Sequence, residues 1–131
     1  MTAKDLVDFL ETGGIGTYET DLFYSFLPPE PAALVCVLPS GGYPPDLYLP
    51  IADPTFQICI RAETYDDAEA QAAAVAALFR DALDRPKTNF TIGTTYVYLA
   101  QFLQEPTTAY IGYNTNGRAE FSCNLHLKIR I

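Results

Sequence analysis

The chain predicts an α+β fold: a mixed, mostly antiparallel sheet of about five strands with the main α-helix packed on one face. Three observations carry that expectation. Residues 56–63 and 119–131 alternate apolar and polar side chains with a period of two. Residues 65–85 form an alanine-rich stretch whose apolar positions recur at helical spacing. The strands also cluster after that helix instead of alternating with helices. A length of 131 residues fits a single domain, 1–131, that buries about two-thirds of its unfolded surface.

In chain order, residues 3–12 predict a short amphipathic helix. Thr2 caps it, with Asp5 three residues on, and Ala3, Leu6, Val7 and Leu10 share one face. Gly13-Gly14 stops it. Residues 33–38, AALVCVL with its flank, predict a strand buried on both faces. In 56–63, Phe56, Ile58, Ile60 and Ala62 face one way, and Gln57, Cys59, Arg61 and Glu63 the other. Thr64 caps the main helix, predicted over about 65–85 and ended by Pro86, with Ala68, Ala72, Val75, Phe79 and Ala82 as its buried stripe. Strands at 95–103 and 108–114 are expected to pair across a turn at Glu105-Pro106. Asn116-Gly117 turns the chain into a last strand, 119–131, whose Phe121, Cys123, Leu125, Leu127, Ile129 and Ile131 point to the core.

Two stretches resist this scheme. Residues 17–32 hold aromatic side chains followed by Pro28, Pro29 and Pro31. Residues 39–54 hold five of the ten prolines together with Tyr43, Leu47, Tyr48, Leu49 and Ile51. A flexible linker does not need such apolar content, and a long connection without an element of its own is usually functional or disordered. Both are read as extended arms. The expected protein-contact residues are Phe23, Tyr24, Phe26, Leu27 and Pro28 in the first arm, and Tyr43, Pro44, Pro45, Leu47 and Tyr48 in the second.

Charge narrows the partners. The net charge is −8; residues 1–54 hold eight acids against Lys4 alone, whereas residues 55–131 set eight acids against seven bases. Binding nucleic acid through phosphates needs clustered Lys and Arg, so this chain is not expected to grip DNA. Its acidity fits either plain solubility or a surface that DNA passes without sticking. No run approaches the ~20 apolar residues that span a bilayer, and the acidic N-terminus does not read as a signal peptide.

Catalysis has no visible apparatus. The three cysteines, Cys36, Cys59 and Cys123, lie in strands without CxxC spacing and read as buried free thiols. His126 alternates to the face opposite Cys123, so the two cannot share a metal, and it reads as a surface strand residue. The cluster Glu63, Asp66 and Asp67 reads as a helix start before it reads as a cation site, and GGIG (13–16) reads as a helix stop. No catalytic residue, metal or cofactor is expected.

The ordered set LFYSFLPP (22–29), GGYPPD (41–46), a strand ending in Arg61 and a helix opening at Tyr65 resembles a family of small phage proteins: the minor capsid and tail terminator proteins of long-tailed bacteriophages. The matching positions are Ile15, Gly16, Leu22, Phe23, Leu27, Pro28, Gly41, Gly42, Pro44, Pro45, Arg61 and Tyr65. The similarity covers roughly residues 13–85. It implies a virion protein assembled in the host cytoplasm. It also implies a homo-oligomeric ring, usually a hexamer, on the end of the tail tube that stops tube growth and offers a joint to the head connector. DNA would pass through without specific binding. Two other readings stay open: another neck or tail-completion protein that meets the connector, and a small ligand-binding or enzymatic α+β domain, which would need a concave pocket with convergent polar groups.

Overall fold

The computed structural model describes residues 1–24, 26–29, 32–44, 47–103, 109–113 and 117–131. The first helix, α1 (Ala3–Thr12), is held at its start by a capping box. Thr2 Oγ1 accepts the Asp5 amide, and the Asp5 carboxylate accepts the Thr2 amide at 2.8 Å. Strands β1 (Leu22–Tyr24), β2 (Leu34–Tyr43) and β3 (Ile51–Ala62) follow, then α2 (Tyr65–Ala77). Strands β4 (Thr88–Ile92), β5 (Thr95–Phe102), β6 (Ala109–Tyr113) and β7 (Ala119–Arg130) complete the chain.

The seven strands make one sheet in the order β1-β2-β3-β7-β5-β4, with β6 paired to β7. Only β1 and β2 run parallel among these pairings. The sheet is therefore mostly antiparallel as expected, but it has seven strands, not about five. The two additional ones are β1 and β4. The expected pairing of 95–103 with 108–114 is not what forms. β5 and β6 instead lie end to end on one edge of β7, at Leu125–Ile129 and Ala119–Ser122 respectively. The turns assigned to Glu105-Pro106 and to 114–116 lie outside the described residues.

One core cluster joins the helices to the sheet. Leu6, Val7 and Leu10 of α1 meet Val35, Val37, Ile58 and Ile60, together with Ala68, Ala72 and Val75 of α2 and Phe121, Cys123, Leu125 and Leu127 of β7. α2 lies against β3 and β7, and α1 against β1, β2 and β4. Alanines on α2 let its backbone come close to the strands, since each projects a single methyl group.

α2 stops at Ala77, well short of residue 85. Asp81 explains the early end: its carboxylate accepts the Leu83 and Arg85 amides at 2.9 and 3.0 Å and the Arg85 guanidinium at 3.1 Å, folding 78–86 into a turn. Phe79 is still fully buried, but Ala82 and Leu83 are exposed. Ile131 is likewise exposed at 74%, not core.

Candidate protein-docking surface

The expected second arm, 39–54, is mostly strand. β2 runs on to Tyr43 and β3 begins at Ile51, so the segment is a long hairpin with only its tip outside the ladder. Its aim comes from a bulge between Pro39 and Gly42. Gly42 has φ +146, and a Cβ there would lie 2.9 Å from the Asp53 carbonyl oxygen. Glycine is required because the β3 backbone comes that close. At the hairpin root, the register partners Tyr43 and Asp53 meet β7. Asp53 Oδ1 lies 3.0 Å from His126 Nε2 and 3.0 Å from Lys128 Nζ, and the His126 ring packs edge-on to Tyr43 at 5.1 Å. His126, expected as a plain surface residue, is thus partly buried and tied to β3. Burial pushes the Asp53 carboxyl up, but the hydrogen bonds from Lys128 and His126 outweigh it and hold the group below the usual carboxylate range.

Beyond that root the tip is exposed. Leu47 is 89% exposed, Tyr48 91% and Leu49 55%, and the amide of exposed Ile131 donates to the Pro50 carbonyl beside them. Isolated exposed leucines are ordinary; an apolar group at one end of the sheet is a contact feature. Of the expected contact residues here, Tyr43, Pro44, Leu47 and Tyr48 are exposed; Pro45 lies outside the described residues.

The first arm is built differently. Phe23 and Tyr24 are half-buried in β1, parallel to β2. Tyr24 stacks on Tyr18 at 5.6 Å, and Phe23 meets Phe26 at 6.4 Å. Residues 26–29 then cross the side of the sheet away from the core, with their carbonyls fastened in turn. The Cys36 thiol donates to Phe26 O at 3.0 Å, and Arg61 Nη2 donates to Pro28 O at 2.7 Å while its Nε reaches Ala32 O. Arg118 donates to Pro29 O. Arg61 is only 5% exposed; a guanidinium can be buried there because it finds carbonyl acceptors for its donors. Phe26 (61%) and Leu27 (39%) are left facing outward. Cys36, Arg61 and Arg118 organise this segment, and sequence reasoning did not single them out as site residues. The available signal was Arg61 itself, on the β3 face opposite the core residues Phe56, Ile58, Ile60 and Ala62 yet flanked by apolar neighbours.

Cys36 and Cys123 are buried free thiols as expected, whereas Cys59 is half-buried. Burial pushes Cys36 and Cys123 up to about 12 and raises Cys59 as well. A cavity of about 510 Å³ lies between β2, β3 and α2, lined by Asp21, Arg61, Glu63, Asp67 and Gln71 among others. Three of its polar side chains are engaged in the fold. Asp21 accepts the Thr17 amide at 2.7 Å, Gln71 donates to Ile15 O at 3.0 Å, and Arg61 donates to the Pro28 and Ala32 carbonyls. His126 is not part of its lining. No group of metal-ligating side chains occurs among the described residues, and no described helix is long and apolar enough to cross a membrane.

A family model described as "Bacteriophage tail terminator protein" matches residues 9–131. The chain belongs to that family. Its members are structural proteins of the phage tail, and the chain is accordingly a virion protein. The family match extends through β4–β7, well past residue 85 where the sequence resemblance ended. No curated protein matches the chain. Among solved structures, a chain from the "Virion of native gene transfer agent (GTA) particle" shares the fold with a TM-score of 0.58 at 16% identity. The alignment covers 83% of this chain and 78% of that one.

Proposed function

We propose that this tail terminator family member acts as one domain that assembles into a homo-oligomeric ring, a hexamer, on the last ring of the tail tube. There it halts tube polymerisation and presents the joint to the head connector. The observation that carries this reading is the family match across residues 9–131. Two features of the chain support it. The 26–29 segment and the hairpin tip present aromatic, proline-bounded surfaces, the residue types enriched where proteins meet. Both are held by regular structure at their roots, so docking costs less ordering entropy than a free arm would. We assign contact roles to Phe23, Tyr24, Phe26, Leu27 and Pro28, and to Tyr43, Pro44, Pro45, Leu47 and Tyr48. The acidic excess of residues 1–54 suits a passage that DNA crosses without adhering.

The test is to mix the purified protein with tail tubes growing from their subunits and image them by electron microscopy. The expected outcome is tubes of arrested length, each bearing a terminal ring. Tubes that keep growing with no density at their ends, at any protein concentration, would sink the reading.

A further inference from the structure

In a chain of net charge −8, one arginine is placed as if for an acid that the subunit does not supply. Arg130 is exposed near the end of β7. Its guanidinium carbon lies 4.7 Å from the Tyr96 ring centroid and 5.6 Å from that of Tyr98, and Nε donates to the Tyr98 hydroxyl at 3.1 Å. Two aromatic rings, edge-on to each other at 5.1 Å, and a hydrogen bond hold the side chain, so a bidentate carboxylate contact would cost it little further entropy. Among the described residues no carboxylate pairs with it, whereas its neighbour Lys128 is neutralised by Asp53. Arg130 is also the register partner of Ile51, and the next residue bonds Pro50. The patch is therefore continuous with the hairpin tip.

The complementary surface lies at the α1–β1 edge of the same chain. Residues 1–24 carry five acids against one base. Asp8 of α1 and Glu19 of the following loop are both exposed. Lys4 Nζ lies 3.6 Å from the Asp8 carboxylate and 5.6 Å from the Tyr18 ring, and Glu19 follows Tyr18 in the chain, which places both acids around that ring with one lysine between two carboxylates. We propose that the Tyr96–Tyr98–Arg130 patch of one subunit docks on the acidic α1–β1 edge of a second copy around Asp8 and Glu19. The two surfaces differ, so the contact is head-to-tail and can close into a ring. This rests on the oligomer proposed above.

A charge swap tests it, with self-association measured by analytical ultracentrifugation and folding by circular dichroism. Arg130→Glu, and separately Asp8→Lys with Glu19→Lys, should each weaken association about tenfold or more. Mixing the two variants should restore it to within a few-fold of wild type, and raising salt should weaken wild type but less so Arg130→Gln. A folded Arg130→Glu that associates like wild type overturns this docking mode while leaving the terminator reading intact. So does a pair of weakened variants that fails to recover on mixing. A wild-type protein that caps tubes without self-associating in any condition also overturns it, whereas one that neither associates nor caps removes the terminator reading with it.

Discussion

The two segments that present aromatic side chains differ in what holds them. Residues 26–29 have no ladder of their own, yet Cys36, Arg61 and Arg118 bind the Phe26, Pro28 and Pro29 carbonyl groups from beneath. The 39–54 hairpin is held by the β2–β3 ladder up to Tyr43 and Asp53, with β7 along the outer side of β3, and its tip residues Leu47–Leu49 are exposed. A segment with irregular backbone must find side-chain partners for its polar groups or face water. A hairpin satisfies those groups internally and can project apolar side chains beyond the sheet. The first surface should therefore fail by unfolding locally, and the second by losing a contact while the fold stays intact.

Arg61→Ala should show the larger effect on stability. It removes a buried guanidinium and leaves the Pro28 and Ala32 carbonyls without their donor. The expected cost is about 3 kcal/mol, or roughly 10 °C in melting temperature for a domain of this size. Because 26–29 covers Cys36, the variant should also expose that thiol. Alkylation of Cys36 at pH 8, negligible in the wild type, should become measurable by mass spectrometry. An unchanged melt with an unchanged Cys36 would mean that the arginine does not fasten the segment.

Gly42→Ala comes next. Its Cβ would press on the Asp53 carbonyl and the Pro54 Cα at a backbone angle that side chains avoid, costing about 1–3 kcal/mol. The damage should be confined to the hairpin, so amide hydrogen exchange should rise in 39–54 and stay unchanged around Arg61. The hairpin root has a smaller, pH-dependent share. Asp53 is held below its usual range by Lys128 and His126, so the folded state keeps it ionised more readily than the unfolded chain does. That contribution is present in full above about pH 4 and is lost as pH falls through the folded-state value. Asp53→Asn should lose about 1 kcal/mol at pH 7 and melt with a flatter pH profile below pH 4. A variant as acid-sensitive as the wild type would show that Asp53 is not the group responsible.

How much of this was legible depended on whether the signal was local. The capping box, the alternation of β3 and β7 and the alanine face of α2 repeat within a few residues, and the structure keeps them. β1 has three residues, too few for a period to show, and β4 (TNFTI) is mostly exposed with Asn89 at φ +55. The choice of β7 over β5 as the partner of β6 depends on contacts far apart in sequence. Prolines hid the hairpin. Pro39 sits where β2 has passed the end of β1, and an edge strand tolerates proline. Pro54 falls where the β3–β7 ladder lapses between Ala52 and Thr55. The proposed contact residues stood out as aromatics and prolines out of pattern; the thiol and arginines that hold 26–29 did not, because Cys36, Arg61 and Arg118 come from β2, β3 and the residue before β7.

Tyr48→Ala sharpens the contrast furthest, because it should do least to the fold. At 91% exposure the ring buries little on folding, and a surface substitution of this kind shifts stability by no more than about 0.5 kcal/mol. A Tyr at the centre of a docked surface is a different matter, since truncating an anchoring aromatic typically costs 2 kcal/mol or more of binding, roughly thirtyfold. Phe23→Ala is the counterpart on the fastened side. Phe23 is half-buried against Phe26, so its loss should lower both the melt and assembly. If Tyr48→Ala melts several degrees lower yet assembles on tubes as the wild type does, the tip belongs to the fold. If Phe23→Ala lowers the melt and leaves assembly unchanged, only the hairpin is a contact surface, and 26–29 is a cover for the sheet.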